Sequence, residues 1–230
     1  MAVLVVLPGL DGTATLHADF VRAASTTFDS VAVIPYPQDQ MFGYVELEAI
    51  VRSTLPSRPF VLLGESFSGP IALSIAANPP SNLVGLVLST TFATSPVPLF
   101  SVFAPVTRIA PVRALPLFLL SWWLLGRWAT PQLEAALQDA LSQVSPKVLR
   151  FRAAAALRAN VLAQCSSISV PVLNLCAAND RLLSRSAGSQ IEAVIPNCET
   201  TEIAGPHLLL QAAPQVCAQV VGGFASRVEC

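Results

Sequence analysis

Short apolar runs rich in β-branched residues recur along the chain, with stretches of helical periodicity between them. The apolar runs are nearly continuous rather than alternating, which is typical of strands covered on both faces. Strands that alternate with helices predict a doubly wound, mostly parallel α/β sheet. The predicted strands are 2–7, 31–34, 60–63, 83–89, 171–176 and 199–203, and the predicted helices lie near 14–25, 43–55, 68–78, 184–194 and 208–226.

One segment, residues 93–162, breaks this alternation. It contains no convincing strand, and it carries all three tryptophans of the chain, Trp122, Trp123 and Trp128. A helix beginning near Pro131, with Thr130 at its N-cap, is predicted within it. We interpret 93–162 as a helical cap inserted between the fourth and fifth strands. The core is then formed by residues 1–92 together with residues 163–230.

The composition excludes several classes of protein. The chain has 230 residues, of which 53% are hydrophobic and 12% are charged, and its net charge is −1. This balance disfavours disorder and leaves no basic surface for nucleic acid. The longest apolar stretch, 114–126, is too short to span a membrane, and the N-terminus lacks the features of a signal peptide, so a cytoplasmic location is expected. The five cysteines form no CxxC pair, which predicts reduced thiols and no zinc site.

The stretch "VLLGESFSGPIAL", residues 61–73, predicts a strand, a sharp turn with Ser66, and a helix. A serine nucleophile needs a base, and the chain has only two histidines, His17 and His207. His207 follows the last strand, at the edge where sites of open α/β folds collect. Asp180 follows the fifth strand and is the candidate acid. The chain order Ser66, Asp180, His207 is the one that accompanies a strand–turn–helix serine elbow.

A loop after the first strand, "LPGLDGT" at residues 7–13, is the candidate oxyanion loop. Its two glycines permit a tight turn with inward-facing N–H groups, so the backbone N–H groups of Leu10 and Phe67 are the predicted donors. Asp11 is expected to order this loop through Asx-type hydrogen bonds.

Neighbouring polar residues have simpler interpretations. His17 is expected to lie at the surface or at the rim of the site. Glu65 is expected to be a buried, hydrogen-bonded support for the nucleophile, and Ser68 a cap of the following helix. Ser66 itself has the alternative interpretation of a plain turn serine, and His207 that of a histidine that only begins a helix.

The motifs "LPGLDG", "GESFSG" and "GPHLLLQ" together make the chain resemble the α/β-hydrolases. The resemblance implies Ser66 as nucleophile, Asp180 as acid and His207 as base, with the oxyanion hole at Leu10 and Phe67. It also implies an α/β-hydrolase fold and a small-molecule ester substrate. The elbow departs from the family pattern because Ser68 occupies the second small position. The first predicted strand corresponds to the third strand of the family sheet, so a smaller sheet of about six strands is expected.

The predicted cap narrows the choice of substrate. No acidic residue lies between Glu65 and Glu134, whereas Arg108, Arg113 and Arg127 do. Neutral, lipophilic esters are therefore favoured, and the basic, apolar cap also permits weak contact with an anionic membrane surface. Trp122 and Trp123 are candidates for the substrate pocket, and packing of the cap onto the sheet is their other interpretation.

We expect a serine carboxylesterase that needs no cofactor or metal. Three alternatives stay open at this point: an acyltransferase or thioesterase with the same three residues, a membrane-peripheral lipid hydrolase, and a ligand receptor without turnover.

Overall fold

A six-stranded sheet forms the centre of the protein, for which a computed structural model describes residues 3–96 and 116–228. Its strand order is β2-β1-β3-β4-β5-β6, and every pair of neighbouring strands is parallel. The predicted parallel α/β sheet of about six strands is confirmed. The strands are β1 (Val3–Leu7), β2 (Ser30–Val33), β3 (Phe60–Glu65), β4 (Leu83–Ser89), β5 (Val172–Ala177) and β6 (Cys198–Ile203).

Helices connect these strands. In chain order, the α-helices of the described residues are α1 (Ala18–Ala24), α2 (Tyr44–Thr54), α3 (Gly69–Ala77), α4 (Leu117–Leu124), α5 (Pro131–Ser142), α6 (Pro146–Ala156), α7 (Leu162–Cys165), α8 (Arg185–Val194), α9 (Leu209–Ala212) and α10 (Pro214–Val228). Short 3-10 helices are formed by Thr15–His17, Ser66–Ser68 and Gly126–Trp128.

The prediction of a single helix over 208–226 is wrong in one respect, because the structure has two helices there, α9 and α10. Ala213, between them, has φ −136° and ψ 52°, which are not helical values. Pro214 then begins α10, where its missing N–H and fixed φ suit the first turn of a helix.

Both faces of the sheet are covered, which explains the continuous apolar runs of its central strands. In β1, Val3, Val5 and Leu7 pack into a cluster with α2 and α3. The alternate residues Leu4 and Val6 pack on the other face, in a cluster with α1 and α10. Because successive side chains of a strand point to opposite faces, every position of β1 has to be apolar.

The direction in which successive strands are added to the sheet reverses at β1. From β1 the chain adds β2 on one side, and it then adds β3 on the other side of β1. Ligands of open α/β sheets bind in the crevice at such a point, outside the carboxyl ends of the strands. The loop that follows β1 and the turn that follows β3 both lie at this crevice.

Three helices of the predicted cap, α4, α5 and α6, lie between β4 and β5 in the chain. The chain leaves β4 and returns to the core side by side, since Thr94 and Asn160 form an antiparallel bridge. The predicted N-cap is confirmed, because Thr130 Oγ1 accepts a hydrogen bond from Leu133 N at 3.2 Å. Arg108 and Arg113 lie outside the described residues, and the division into core and cap stays a prediction.

Gly64 allows β3 and α3 to approach each other closely. A Cβ atom at this position would lie 2.6 Å from the Cβ of Ala72 and 3.0 Å from the carbonyl oxygen of Ser68. We expect Gly64→Ala to lower the free energy of unfolding by about 1–3 kcal/mol, because the added methyl group overpacks this contact. Urea denaturation of the variant and the wild type measures the difference.

Gly223 is the matched control, because a Cβ there meets nothing within 4 Å. Gly223→Ala in α10 is expected to stabilise by up to ~1 kcal/mol, as alanine is the better helix former. Equal denaturation midpoints for the Gly64 variant and the wild type would contradict the close approach of β3 and α3.

Candidate active site

The turn between β3 and α3 holds Ser66 in an unusual backbone conformation. Its φ is +47°, in the left-handed region that non-glycine residues rarely adopt. Thr91 Oγ1 donates a hydrogen bond to the Ser66 carbonyl oxygen and so holds the strained turn in place. Gly69 leaves room for the Thr91 side chain, because a Cβ at position 69 would overlap it. Strain that is maintained by surrounding contacts is common at functional sites.

Three residues from three different loops form a chain of hydrogen bonds. Ser66 Oγ lies 2.8 Å from His207 Nε2, and His207 Nδ1 lies 2.8 Å from Asp180 Oδ2. The second carboxylate oxygen of Asp180 accepts hydrogen bonds from the N–H groups of Leu182 at 2.7 Å and Leu183 at 2.8 Å. With Nδ1–H donating to Asp180, Nε2 is left to accept the Ser66 hydroxyl proton. The structure thus brings together the three residues that the sequence singled out.

The loop after β1 is a tight turn that faces Ser66. Gly12 N donates to the Gly9 carbonyl at 3.0 Å. Asp11 Oδ2 accepts from Thr13 N at 2.8 Å and from Thr13 Oγ1 at 2.6 Å, so the predicted Asx-type ordering is confirmed. Leu10 lines the same cavity as Ser66 and Phe67. Within residues 3–96 and 116–228, the N–H groups of Leu10 and Phe67 donate to no protein acceptor. Both are available to a bound oxyanion.

Ser68 has a different partner from the one expected. Its side chain makes no capping hydrogen bond to α3, so the prediction of a cap is wrong. Its hydroxyl instead donates to the Pro8 carbonyl and accepts from the Tyr36 hydroxyl at 2.6 Å. Ser68 therefore joins the serine turn to the loop after β1, a contact over 60 residues that no local pattern announces.

His17 is buried rather than at the surface or rim, so that expectation is wrong. It is 0% exposed, and its Nε2 lies 2.8 Å from Glu65 Oε2. Burial opposes the charged imidazolium, but the Glu65 carboxylate holds the pKa of His17 above its ordinary value. Burial likewise opposes the carboxylate, but His17 holds the pKa of Glu65 below its ordinary value. Glu65 is thus the buried support that its position predicted, as one half of an ion pair.

A cavity of about 790 Å³ opens in front of Ser66 and His207. Its wall is mostly aliphatic and aromatic, with residues from α4, α5 and α6, which include Leu120, Trp123, Leu124, Leu137 and Leu149. Trp123 lines this cavity, but the structure does not bring Trp122 to it. The Trp122 ring is 55% exposed, and the Arg181 guanidinium lies 4.5 Å from its centroid.

Other kinds of site have little support among the described residues. In this part of the chain, no three histidine, cysteine, aspartate or glutamate side chains group closely enough to hold a metal ion. Burial raises the pKa of the Cys165 thiol to about 11 and that of Cys217 to about 12, so both thiols stay protonated and unreactive. No helix within 3–96 and 116–228 is long and apolar enough to cross a membrane.

Removing His17 tests the buried ion pair. His17→Ala leaves the Glu65 carboxylate buried without its partner, so we expect the free energy of unfolding to fall by about 3–5 kcal/mol. The double variant with Glu65→Gln is the control, since it removes the charge that lost its partner. Its loss is expected to be smaller than the sum of the two single losses, which a double-mutant cycle in urea measures.

The stability conferred by this pair depends on pH. The pKa of His17 is raised, so its contribution is complete below 6.5 and is lost as pH rises through the folded value. The pKa of Glu65 is lowered, so its contribution is present above 4.5 and is lost as pH falls through the folded value. The difference between wild type and His17→Ala should therefore shrink at alkaline pH. A difference that is constant with pH would contradict an ion pair.

Known proteins share this architecture. The structure superimposes on an enol-lactonase from Burkholderia xenovorans with a TM-score of 0.85 and 18% identity, covering 98% of this chain and 91% of that one. A hydrolase from Oleispira antarctica superimposes with a TM-score of 0.82 and 15% identity, covering 98% of this chain and 91% of that one. An N-acyl homoserine lactone degrading enzyme superimposes with a TM-score of 0.82 and 18% identity, covering 97% of this chain and 93% of that one. At these identities the likeness shows the fold alone.

The sequence comparison is more specific. No curated protein matches the chain. The family described as "Serine aminopeptidase, S33" matches residues 41–207, which is more than half of the chain and includes both Ser66 and His207. The protein therefore belongs to this family of α/β-hydrolases, as the motifs of its sequence suggested.

Proposed function

We propose that this hydrolase cleaves neutral, lipophilic carboxylic esters through an acyl-enzyme on Ser66. The observation that carries the proposal is the unbroken contact from Ser66 Oγ to His207 Nε2 and from His207 Nδ1 to Asp180, at the inner end of an apolar cavity. No other part of the described chain joins a nucleophile to a base in this way.

The geometry supports a two-step reaction. His207 Nε2 takes the proton of Ser66 Oγ as this oxygen attacks the ester carbonyl, and the N–H groups of Leu10 and Phe67 hold the developing oxyanion. Collapse of the tetrahedral intermediate breaks the bond to the alcohol, and the imidazolium returns its proton to the leaving oxygen. A water molecule then attacks the acyl-enzyme by the same route. Asp180 holds the imidazole in the required tautomer and stabilises its charge.

The cavity favours an ester over a peptide N-terminus. The α-ammonium of an aminopeptidase substrate needs an acceptor, and among the described lining residues Asp11 is the one with a carboxylate. That carboxylate already binds Thr13, and burial raises the pKa of Asp11. Two structural neighbours are described as acting on lactones, which are cyclic esters. Both observations support an ester as the substrate of this chain.

Helix α4 offers the surface for the weak membrane contact that we infer. Phe118 and Trp122 are 66% and 55% exposed, and Arg127 and Arg181 each lie against a tryptophan ring. Exposed aromatic rings beside arginines suit the boundary of an anionic bilayer. The same helix lines the cavity through Trp123, so lipophilic esters would enter close to this surface.

Hydrolysis of p-nitrophenyl esters from acetate to palmitate tests the proposal. Ser66→Ala is expected to lower kcat by ~10³-fold or more, because the nucleophile is lost. Ser53→Ala, an exposed serine of α2, is the matched control and should retain wild-type rates. The p-nitroanilides of alanine and proline, assayed in parallel, should be poor substrates.

Each other outcome selects an alternative. Ester turnover that survives in Ser66→Ala would contradict the assigned nucleophile. Product that partitions mainly to an added alcohol would favour an acyltransferase, and preference for acyl thioesters a thioesterase. A folded wild type that is inert on every ester but binds them tightly would favour a receptor.

A larger side chain in the cavity tests where the substrate lies. Ala153 of α6 lines the cavity, and Ala153→Phe should exclude part of a long acyl chain. Loss of two buried methylene groups costs ~1.6 kcal/mol, or roughly tenfold in kcat/KM for decanoate. The acetate ester is the internal control and should react at the wild-type rate. Equal losses on both esters would contradict binding of the acyl chain in this cavity.

A further inference from the structure

Arg152, in α6, is a buried charge without a carboxylate partner. Its side chain is 1% exposed, and within residues 3–96 and 116–228 it forms no ion pair. Its Nε–H also finds no acceptor there. Burying a guanidinium in this way is costly, and an apolar side chain of similar size would fill the space without that cost. Stability alone therefore does not account for an arginine at this position.

The guanidinium binds the backbone of the oxyanion loop. Nη1 donates to the carbonyl oxygens of Leu10 at 3.1 Å and Asp11 at 2.7 Å. Nη2 donates to the carbonyl oxygen of Pro37 at 2.8 Å, and the group lies 5.5 Å from the centroid of the Tyr36 ring. The planar fork of an arginine suits several acceptors held at fixed angles, whereas a lysine presents a single point charge.

These bonds determine how the loop presents its N–H groups. Gly12 N holds the Gly9 carbonyl inside the turn, and Leu10 N–H, trans to that carbonyl in the same peptide unit, therefore points out of the turn. Arg152 holds the next two carbonyls, those of Leu10 and Asp11. Turning the Leu10 N–H would break the bond between Gly12 N and the Gly9 carbonyl, and Arg152 fixes the two peptide units that follow with charged hydrogen bonds, so the three units are held together.

The absence of a side chain at Gly12 leaves space for the Arg152 guanidinium. Its φ is +68°, and a Cβ there would overlap Arg152 Nη1 and lie 3.0 Å from the Tyr36 Cβ. The guanidinium of Arg152 thus contacts the loop at a residue that has no side chain. The second glycine of "LPGLDG" accommodates both the turn and the arginine.

We propose that Arg152 is a positioning residue for the oxyanion hole, a guanidinium from α6 that holds the Leu10 N–H in the orientation needed by the transition state. The inference rests on the proposed ester hydrolysis and deepens it. The helix that supplies Arg152 also lines the cavity through Leu149 and Ala153. The helix that contacts the substrate therefore also orders the loop that stabilises its oxyanion.

Arg152→Ala, assayed on p-nitrophenyl butyrate, tests this role. Because small displacements of catalytic groups cost on the order of 10²-fold, we expect kcat to fall by about 10²-fold and KM to change less than about threefold. Millimolar guanidinium ion should restore a large part of kcat in this variant and leave the wild type unchanged. Arg150→Ala, a partly exposed arginine of the same helix, is the matched control and should retain wild-type kcat.

Several results would overturn the proposal. A folded Arg152→Ala with wild-type kcat would do so, and so would a lower kcat that guanidinium does not restore. A raised KM with unchanged kcat would show that Arg152 shapes the cavity only. If the alanine variant does not fold, Arg152→Lys takes its place, and an unchanged kcat in that variant would have the same meaning. A wild type without ester turnover overturns the proposed function, and this inference with it.

Discussion

Parallel pairing of β1 with β3 is the constraint on which the candidate site depends. It brings two loops, each following a different strand, to one edge of the sheet. The hydrogen bond from Ser68 to the Pro8 carbonyl then joins the two loops directly. The separation between Ser66 and Leu10 is therefore set by backbone and buried side-chain contacts, which hold a site more rigidly than flexible loops would.

Four buried titratable side chains lie close to that edge. Only 12% of the residues are charged, and yet His17, Glu65, Asp11 and Arg152 are all buried around the loop and the nucleophile. Buried charges cost free energy of desolvation, and the cost is offset only where partners are well placed. Here the partners belong to the elements that the site must hold together. The ion pair connects the segment after the candidate oxyanion loop to the residue before the candidate nucleophile.

The helices of the predicted cap form hydrogen bonds with the segments that carry the candidate site. Leu208 N, next to the candidate base, donates to the Leu124 carbonyl at the end of α4 at 3.0 Å. Arg152 joins α6 to the oxyanion loop in the same manner. The helices between β4 and β5 therefore contact the neighbour of the candidate base and the candidate oxyanion loop, while their apolar side chains form much of the cavity wall. Under the proposed function, these two helices would couple substrate binding to the geometry of the candidate site.

The sequence by itself determined the parallel sheet, the serine turn and the order of Ser66, Asp180 and His207. Continuous apolar runs predict buried strands, and a glycine between a strand and a helix predicts a tight turn, because both depend on a few neighbouring residues. The loops that carry those three residues converge because strands of a parallel sheet end at one edge, which also makes their meeting predictable.

Only the tertiary structure decided the partners of His17, Ser68 and Arg152, and that Trp123 rather than Trp122 faces the cavity. His17, Ser68 and Arg152 each bind a residue that is distant in the sequence. Arg152 lies 142 and 141 residues from the carbonyls of Leu10 and Asp11 that it binds, and His17 lies 48 residues from Glu65. A polar side chain is stable in the interior only where a distant segment supplies its acceptor or donor. Which segment does so depends on packing between elements, and no periodicity along the chain records that packing.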